Sequence, residues 1–261
     1  MKLLVKLGGT LLDVDAIRER LARQIAAIAR TVPLVVVHGG GRQMTQYLAA
    51  RGIASQFVNG LRVTTPEVLD AVVKVIAGSV NRQLVATLNA AEARAVGISG
   101  IDAGLVEAEQ MDPALGAVGR VVRANSALLD ALLAAGFLPV VACVAGGRQG
   151  SFYNVNADQM AVACAVAFGA DQLIFLTDVP GVLDATKRPL PYLTPAACES
   201  LIAAGVATGG MLAKLNAAQN ALRQGVPQVS IAAGAEADVL TRLLAGEAMG
   251  TSLANAEVAV Q

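Results

Sequence analysis

Residues 34–42 read Leu34-Val35-Val36-Val37-His38-Gly39-Gly40-Gly41-Arg42, an apolar run that stops in three glycines. Apolar, β-branched residues without polar alternation predict a strand over Leu34–Val37 that is buried on both faces. The glycines then let the backbone turn tightly. A helical pattern follows over Gln43–Arg51. Strand, glycine turn and helix together are the unit of an α/β fold, and the unit recurs along the chain.

Further strands are expected at Leu3–Leu7, Ala95–Ile98, Pro139–Val144, Gln172–Leu176 and Gln228–Ala232. Helical patterns lie near Asp15–Arg30, Pro66–Ala91, Ala127–Ala135, Ala157–Phe168, Pro195–Ala204, Met211–Gln224 and Ala237–Ala245. Thr65-Pro66 and Thr194-Pro195 each place an N-cap before a proline at the first helical position. Gly136, Gly169 and Gly205 fit C-terminal stops. Gly146–Gly150 and Asp184–Pro191 read as exposed turns or hairpins. The alternation predicts a mostly parallel central sheet covered by helices on both faces, a three-layer α/β/α arrangement. In such a fold ligands gather beyond the carboxyl ends of the strands.

Composition narrows the classes. The chain has 261 residues, 55% of them hydrophobic, enough for a large core in one domain or two packed lobes. Lys+Arg and Asp+Glu number 20 each, so no basic face for nucleic acid is expected. The uncharged run Ala131–Gly147 is broken by Gly136 and Pro139 and falls short of the roughly 20 residues of a spanning helix. Leu3-Leu4-Val5 meets Lys6 at once, too short for a signal-peptide core, so a cytoplasmic protein is expected. Cys143, Cys164 and Cys198 stand far apart in apolar surroundings, as buried small hydrophobes do. His38 is the single histidine, which argues against a zinc site or a triad built on several, and it reads as a satisfied structural residue.

Glycine clusters at the strand ends carry the chemistry. Lys6-Leu7-Gly8-Gly9-Thr10 closes the opening strand; its glycines can present bare N–H groups to an anion, and Lys6 needs an anionic partner there. Gly39-Gly40-Gly41 ahead of a helix is a seat for carboxylate or phosphate. It is no dinucleotide fingerprint, since the third glycine would fall at Met44, and GxxxxGK[ST] is absent from the sequence. In Asn59-Gly60-Leu61-Arg62-Val63-Thr64 an arginine precedes a capped helix, where its planar fork can clamp a carboxylate. Asn154-Val155-Asn156-Ala157-Asp158 enters an apolar helix: Asn156 can cap it, Asp158 suits its dipole, and Asn154 is left for a ligand. Leu176-Thr177-Asp178-Val179-Pro180-Gly181-Val182 has the turn chemistry of a loop able to wrap a purine and ribose. The stripe Met211, Leu215, Ala218 and Leu222 starts a helix near Gly210 and puts Lys214 in its first turns. Positive charge is disfavoured there unless a polyphosphate meets it. Taken singly, each motif also has an ordinary reading: a snorkelling lysine, a generic turn, a solvated arginine, a surface lysine.

The order of the pieces is more specific than any one of them. KLGG, HGGG, NGLRVT, NVNAD, LTDVPG and GGMLAKLNAA resemble, in order and approximate spacing, the amino acid kinase family from Lys2 to about Leu253, and within it the acetylglutamate kinases. The resemblance implies a carbamate kinase-like fold in one domain over 1–261, with an acceptor-binding and dimerisation lobe over 1–170 and a nucleotide-binding lobe over 171–261. It implies ATP-dependent phosphorylation of the γ-carboxylate of N-acetyl-L-glutamate, in arginine biosynthesis, with Mg2+ carried by the nucleotide and no metal held by the protein. Alternatives are a sibling kinase acting on acetylaminoadipate and a non-catalytic nucleotide-binding regulatory module.

By the same resemblance Lys6 and Lys214 hold the transferring phosphoryl group and Asp158 orients them. Gly8 and Gly9, with Gly40, offer N–H groups to phosphate oxygens. Gly40 and Gly41 line the acceptor site, and Arg62 and Asn154 grip the acceptor. Asp178, Val179, Pro180, Gly181, Val182 and Leu183, with Thr208, Gly209, Gly210 and Met211, enclose the nucleotide. The helix Pro66–Ala91 is the expected pairing surface of a homodimer. Only Met1 and Lys2 precede the first strand, where arginine-inhibited members carry an extra helix, so activity indifferent to arginine is expected. Gly100-Ile101-Asp102-Ala103-Gly104 departs from the Lys-Asp-Gly turn of many members.

Overall fold

Every residue of Leu3–Leu7 and of Leu34–His38 is buried in the computed structural model of the protein, which describes residues 1–254. Burial of successive residues means that both faces of the sheet are covered, as unbroken apolar strands require. In chain order the main sheet comprises β1 (Leu3–Leu7), β2 (Leu34–His38), β3 (Ala95–Ser99), β4 (Leu138–Ala142), β5 (Gln172–Thr177), β6 (Tyr192–Leu193), β7 (Gln228–Ala233) and β8 (Thr251–Ala254). Their spatial order is β6-β8-β7-β5-β1-β2-β4-β3. The strands from β7 through β3 run parallel, while β8 is antiparallel to β7 and pairs in parallel with β6.

From β1 the chain passes to β2 on one side and later fills the other side with β5. That reversal opens a crevice at the carboxyl ends of β1, β2 and β5. The glycine turns after Leu7 and His38 both lie there. Helices α1 (Asp15–Ala29) and α2 (Gly41–Ala49) follow β1 and β2. A long helical stretch, α3, spans residues 66–90 and is π-helical over Val73–Val80. Helix α4 (Ala157–Phe168) packs on β1, β2 and β5 and also on α5 (Gly209–Arg223).

The caps agree with the sequence. Thr65 and Thr194 accept from the N–H groups of Val68 and Ala197 at 3.3 and 3.2 Å. Gly136, Gly169 and Gly205 have φ of 74°, 67° and 66°, the left-handed stop that glycine adopts without steric cost. All three cysteines are buried and free. No helix among the described residues is long and apolar enough to cross a membrane.

Two features depart from the sequence reading. The run Pro139–Val144 is not one strand: β4 ends at Ala142, and Val144–Gly146 joins a second, mixed sheet, antiparallel to Phe152–Asn154 and parallel to Val106–Gln110, with Gly119–Ala124 antiparallel beyond it. Cys143 is the residue at which the chain leaves one sheet for the other. The segment Asn59-Gly60 is the tip of a two-residue hairpin between Phe57–Val58 and Leu61–Arg62, with φ of 50° and 79°. Asn-Gly suits such a tip because both positions need positive φ. Around Gly100–Gly104, Asp102 closes the turn by accepting from the Ser99 N–H and hydroxyl at 2.6 and 2.8 Å.

Candidate active site

Lys6 lies on β1 inside the sheet, and Asp158 lies in the first turn of α4, held there by its cap. Asn156 accepts from the N–H groups of Asp158 and Gln159 at 2.8 and 3.3 Å. The Lys6 Nζ then sits 2.6 Å from Asp158 Oδ1, both side chains 7% exposed. Lys214, from α5, places its Nζ 3.4 Å from Asp158 Oδ2. One buried carboxylate therefore divides its two oxygens between lysines more than two hundred residues apart. Burial acts to raise the Asp158 pKa, but attraction to Lys6 and Lys214 overrides it and leaves the carboxyl below its ordinary value. Burial, followed by repulsion from Lys6, outweighs Asp158 at Lys214 and lowers its pKa. The balance of the three groups is one surplus positive charge in a desolvated place.

A cavity of about 210 Å³ opens beside this cluster, lined by Lys6, Gly9, Gly40, Gly41, Arg62 and Asn154, with Cys143 in its wall. The two glycine turns touch: a Cβ on Gly9 would lie 3.1 Å from the Gly41 nitrogen and 3.3 Å from that of Gly40. Among the described residues the N–H groups of Gly9, Gly40 and Gly41 have no hydrogen-bond acceptor. Gly8 is different. Its N–H is bonded to the Leu176 carbonyl at 2.9 Å, so it has none to offer a phosphate. The expectation for Gly8 is corrected accordingly: its N–H fastens the turn to β5.

Arg62 is buried and has no carboxylate partner among the described residues. Its Nη2 donates to the Gly41 carbonyl at 3.1 Å and the Thr45 hydroxyl at 2.8 Å, and its Nη1 to the Ser55 hydroxyl. The guanidinium also stacks 4.6 Å from the Phe57 ring centroid. Burial lowers its pKa. Asn154 donates through Nδ2 to the Thr64 hydroxyl at 3.0 Å, and that hydroxyl donates to the Arg62 carbonyl at 2.8 Å. Thr45, Ser55 and Thr64 thus fix Arg62 and Asn154; Thr64 closes the NGLRVT motif, while nothing in the sequence marks out Thr45 and Ser55.

The remaining expected residues are carried by the segment after β5 and by the start of α5. Asp178 follows the carboxyl end of β5, and its charge favours the Lys214 ammonium. Val182 donates its N–H to the Thr251 hydroxyl at 2.8 Å, which fastens the segment Val179–Leu183 to β8. Thr208 is the N-cap residue of α5, with Gly209, Gly210 and Met211 in its first turn. None of these residues lines the 210 Å³ cavity. His38 is fully buried, its Nδ1 2.8 Å from the Gly39 carbonyl and its Nε2 2.9 Å from Asn81 Nδ2.

Known proteins resemble this chain in sequence and in fold. Residues 1–233 match the profile of the amino acid kinase family. An acetylglutamate kinase of Solibacter usitatus is 65% identical over 257 residues, 98% of this chain and all of that one. An N-acetylglutamate synthase of Neisseria gonorrhoeae, solved with coenzyme A and N-acetyl-glutamate, superposes with a TM-score of 0.87 at 26% identity, over 97% of this chain and 59% of that one. A carbamate kinase of Giardia lamblia bound to AMP-PNP shares the fold, with a TM-score of 0.72 at 18% identity over 97% and 98% of the two chains. With residues 1–233 under the family profile and the Solibacter usitatus relative matched over its whole length, the chain belongs to the amino acid kinase family.

Proposed function

We propose that this protein transfers the γ-phosphoryl group of ATP to the γ-carboxylate of N-acetyl-L-glutamate, giving N-acetyl-L-glutamyl 5-phosphate and ADP in arginine biosynthesis. The observation that carries the reading is the convergence of Lys6 and Lys214 on Asp158, beside a cavity lined by Arg62, a cation with no carboxylate partner among the described residues. The full-length likeness to a protein named acetylglutamate kinase supports the choice of acceptor.

The reaction joins two anions, so its barrier is mostly charge repulsion and positioning. A γ-carboxylate oxygen attacks the γ-phosphorus, an O–P bond forms, and the bond to the β,γ-bridging oxygen breaks. The electron pair leaves with ADP. The attacking carboxylate is ionised at neutral pH, so no general base is needed. Lys6 and Lys214 cancel the charge spread over the transferring group, and Asp158 keeps the two ammonium groups from separating. The N–H groups of Gly9, Gly40 and Gly41, without an acceptor among the described residues, offer further dipoles to the phosphate and carboxylate oxygens. Arg62 and Asn154 bind the acceptor; Asp178 to Leu183 and Thr208 to Met211 enclose the nucleotide. Mg2+, carried in by the nucleotide, would screen its phosphate charges; Asp158, engaged by two ammonium groups, is left to position the lysines.

The protein acts as a homodimer paired through residues 66–91. Leu69, Val73 and Ala77 on this helix keep part of their apolar surface open in the single chain. The reading is tested by coupled ADP release with acetylglutamate, acetylaminoadipate, glutamate, aspartate, carbamate and UMP as acceptors. Acetylglutamate is expected to give the highest kcat/KM. Preference for acetylaminoadipate would change the substrate, and ADP release with none of the six would remove the kinase assignment.

A further inference from the structure

Asn81 stands where the π-helical part of α3 returns to α-helix, fully buried in phase with Leu84 and Leu88. Its Nδ2 lies 3.0 Å from the Val140 carbonyl and 2.9 Å from His38 Nε2. A carbonyl can only accept, so the Val140 oxygen fixes which end of the amide faces it. The NH2 group therefore also faces His38, and Nε2 must accept. The imidazole proton is left on Nδ1, which donates to the Gly39 carbonyl at 2.8 Å. Gly39 opens the turn whose next two residues, Gly40 and Gly41, line the cavity, and among the described residues their N–H groups have no acceptor. The amide gives up something for this: its Oδ1 is buried without a hydrogen-bond partner among the described residues. It lies against Gly97 of β3, where a Cβ would come within 2.0 Å of it. A buried unpaired oxygen is unfavourable unless the rest of the side chain is needed.

We infer that Asn81 and His38 are positioning residues for phosphoryl transfer: the relay from Val140 through Asn81 and His38 to the Gly39 carbonyl holds the Gly40 and Gly41 N–H groups toward the reacting phosphate and carboxylate. The inference rests on the reading of this cavity as the acceptor site. It also gives the lone histidine a task without making it an acid or a base. Ile76 and Val80, which would lie 3.3 and 3.4 Å from a Cβ on Gly40, close the other side of the turn. The turn is thus held by a polar tether at Gly39 and an apolar wall at Gly40.

With a single histidine in the chain, long-range 1H–15N correlation on tag-free protein reads its tautomer directly, without substrate. The expected result is protonated Nδ1 and bare Nε2 in the unaltered protein at pH 7.5. In Asn81→Ala the proton should redistribute between the nitrogens, and kcat should fall about 10–100-fold while KM for ATP changes little, the loss expected of slight misplacement. Asn81→Asp, nearly isosteric, should draw the proton to Nε2 with a similar loss of kcat. A proton on Nε2 in the unaltered protein would overturn the inference whether or not either variant folds. So would a folded variant whose tautomer changes and whose kcat does not. Absence of acetylglutamate kinase activity in the unaltered protein would instead sink the reaction assigned above, and the tautomer would still report on the tether.

Discussion

At the scale of residues, charge placement decides the chemistry. Lys6→Ala and Lys214→Ala should each lower kcat by about 10²–10⁴, the range for deleting one group that stabilises a transition state's charge. KM for the acceptor should move far less, and steady-state kinetics on folded variants reads both. Arg62→Lys keeps the charge but loses three donors that now hold Gly41, Thr45 and Ser55. The acetylglutamate KM should rise more than tenfold with ATP affinity nearly unchanged; weakened ATP with an intact acceptor KM would reverse the division of the two sites. His38 makes a separate prediction for stability. Burial lowers its pKa from 6.5 to about 4, so the unfolded chain takes up a proton in that window and the native state does not. The associated stability is complete above pH 6.5 and is lost as pH falls toward 4, by on the order of 3 kcal/mol. Urea unfolding at pH 7 and pH 5 should show a smaller acid loss in His38→Gln than in the unaltered protein. An equal loss in both would contradict the neutral, buried imidazole.

At the scale of elements, caps and turns aim these side chains. Asn156 bonds the N–H of Asp158 itself, so Asn156→Ala should cost about 1 kcal/mol of stability, as lost N-caps do. It should also reduce kcat by loosening the carboxylate between the lysines; thermal melts and kinetics on one preparation test both. Much of this level is legible in the sequence. Leu3–Leu7 and Ala157–Phe168 are found as expected, because unbroken apolar runs and an Asn cap with a Gly stop leave little choice. The second sheet was not legible as a sheet. Val106-Glu107-Ala108-Glu109-Gln110 alternates in the manner of a half-buried strand, but its antiparallel partner is set by tertiary pairing across a bulge. The switch of sheets at Cys143 is hidden inside a run that stays apolar through Ala145. The π-helical turn of α3 leaves no pattern in composition. Asn81 did leave one, a polar residue in phase with Leu84 and Leu88, and only its contact with His38 gives that a meaning. At Gly8 the sequence reading saw a flexible glycine where the sheet had already used its N–H.

At the scale of the whole molecule, the doubly flanked parallel sheet brings β1, β2 and β5 to one rim and lets α4 and α5 deliver Asp158 and Lys214 onto Lys6. A C2 pairing of two such chains through residues 66–91 would bury the same helix on both subunits. Multi-angle light scattering at micromolar concentration is expected to return twice the chain mass of 26.5 kDa, and a monomer would refute the pairing. The proposed reaction makes an acyl phosphate from acetylglutamate. Hydroxylamine converts an acyl phosphate into a stable hydroxamate, so the decisive measurement follows hydroxamate and ADP together in ATP, Mg2+ and acetylglutamate. The two products are expected in equal amounts, both abolished when acetylglutamate is left out and both reduced at least about a hundredfold in Lys214→Ala. ADP formed without hydroxamate, or hydroxamate formed at full rate by Lys214→Ala, would contradict it.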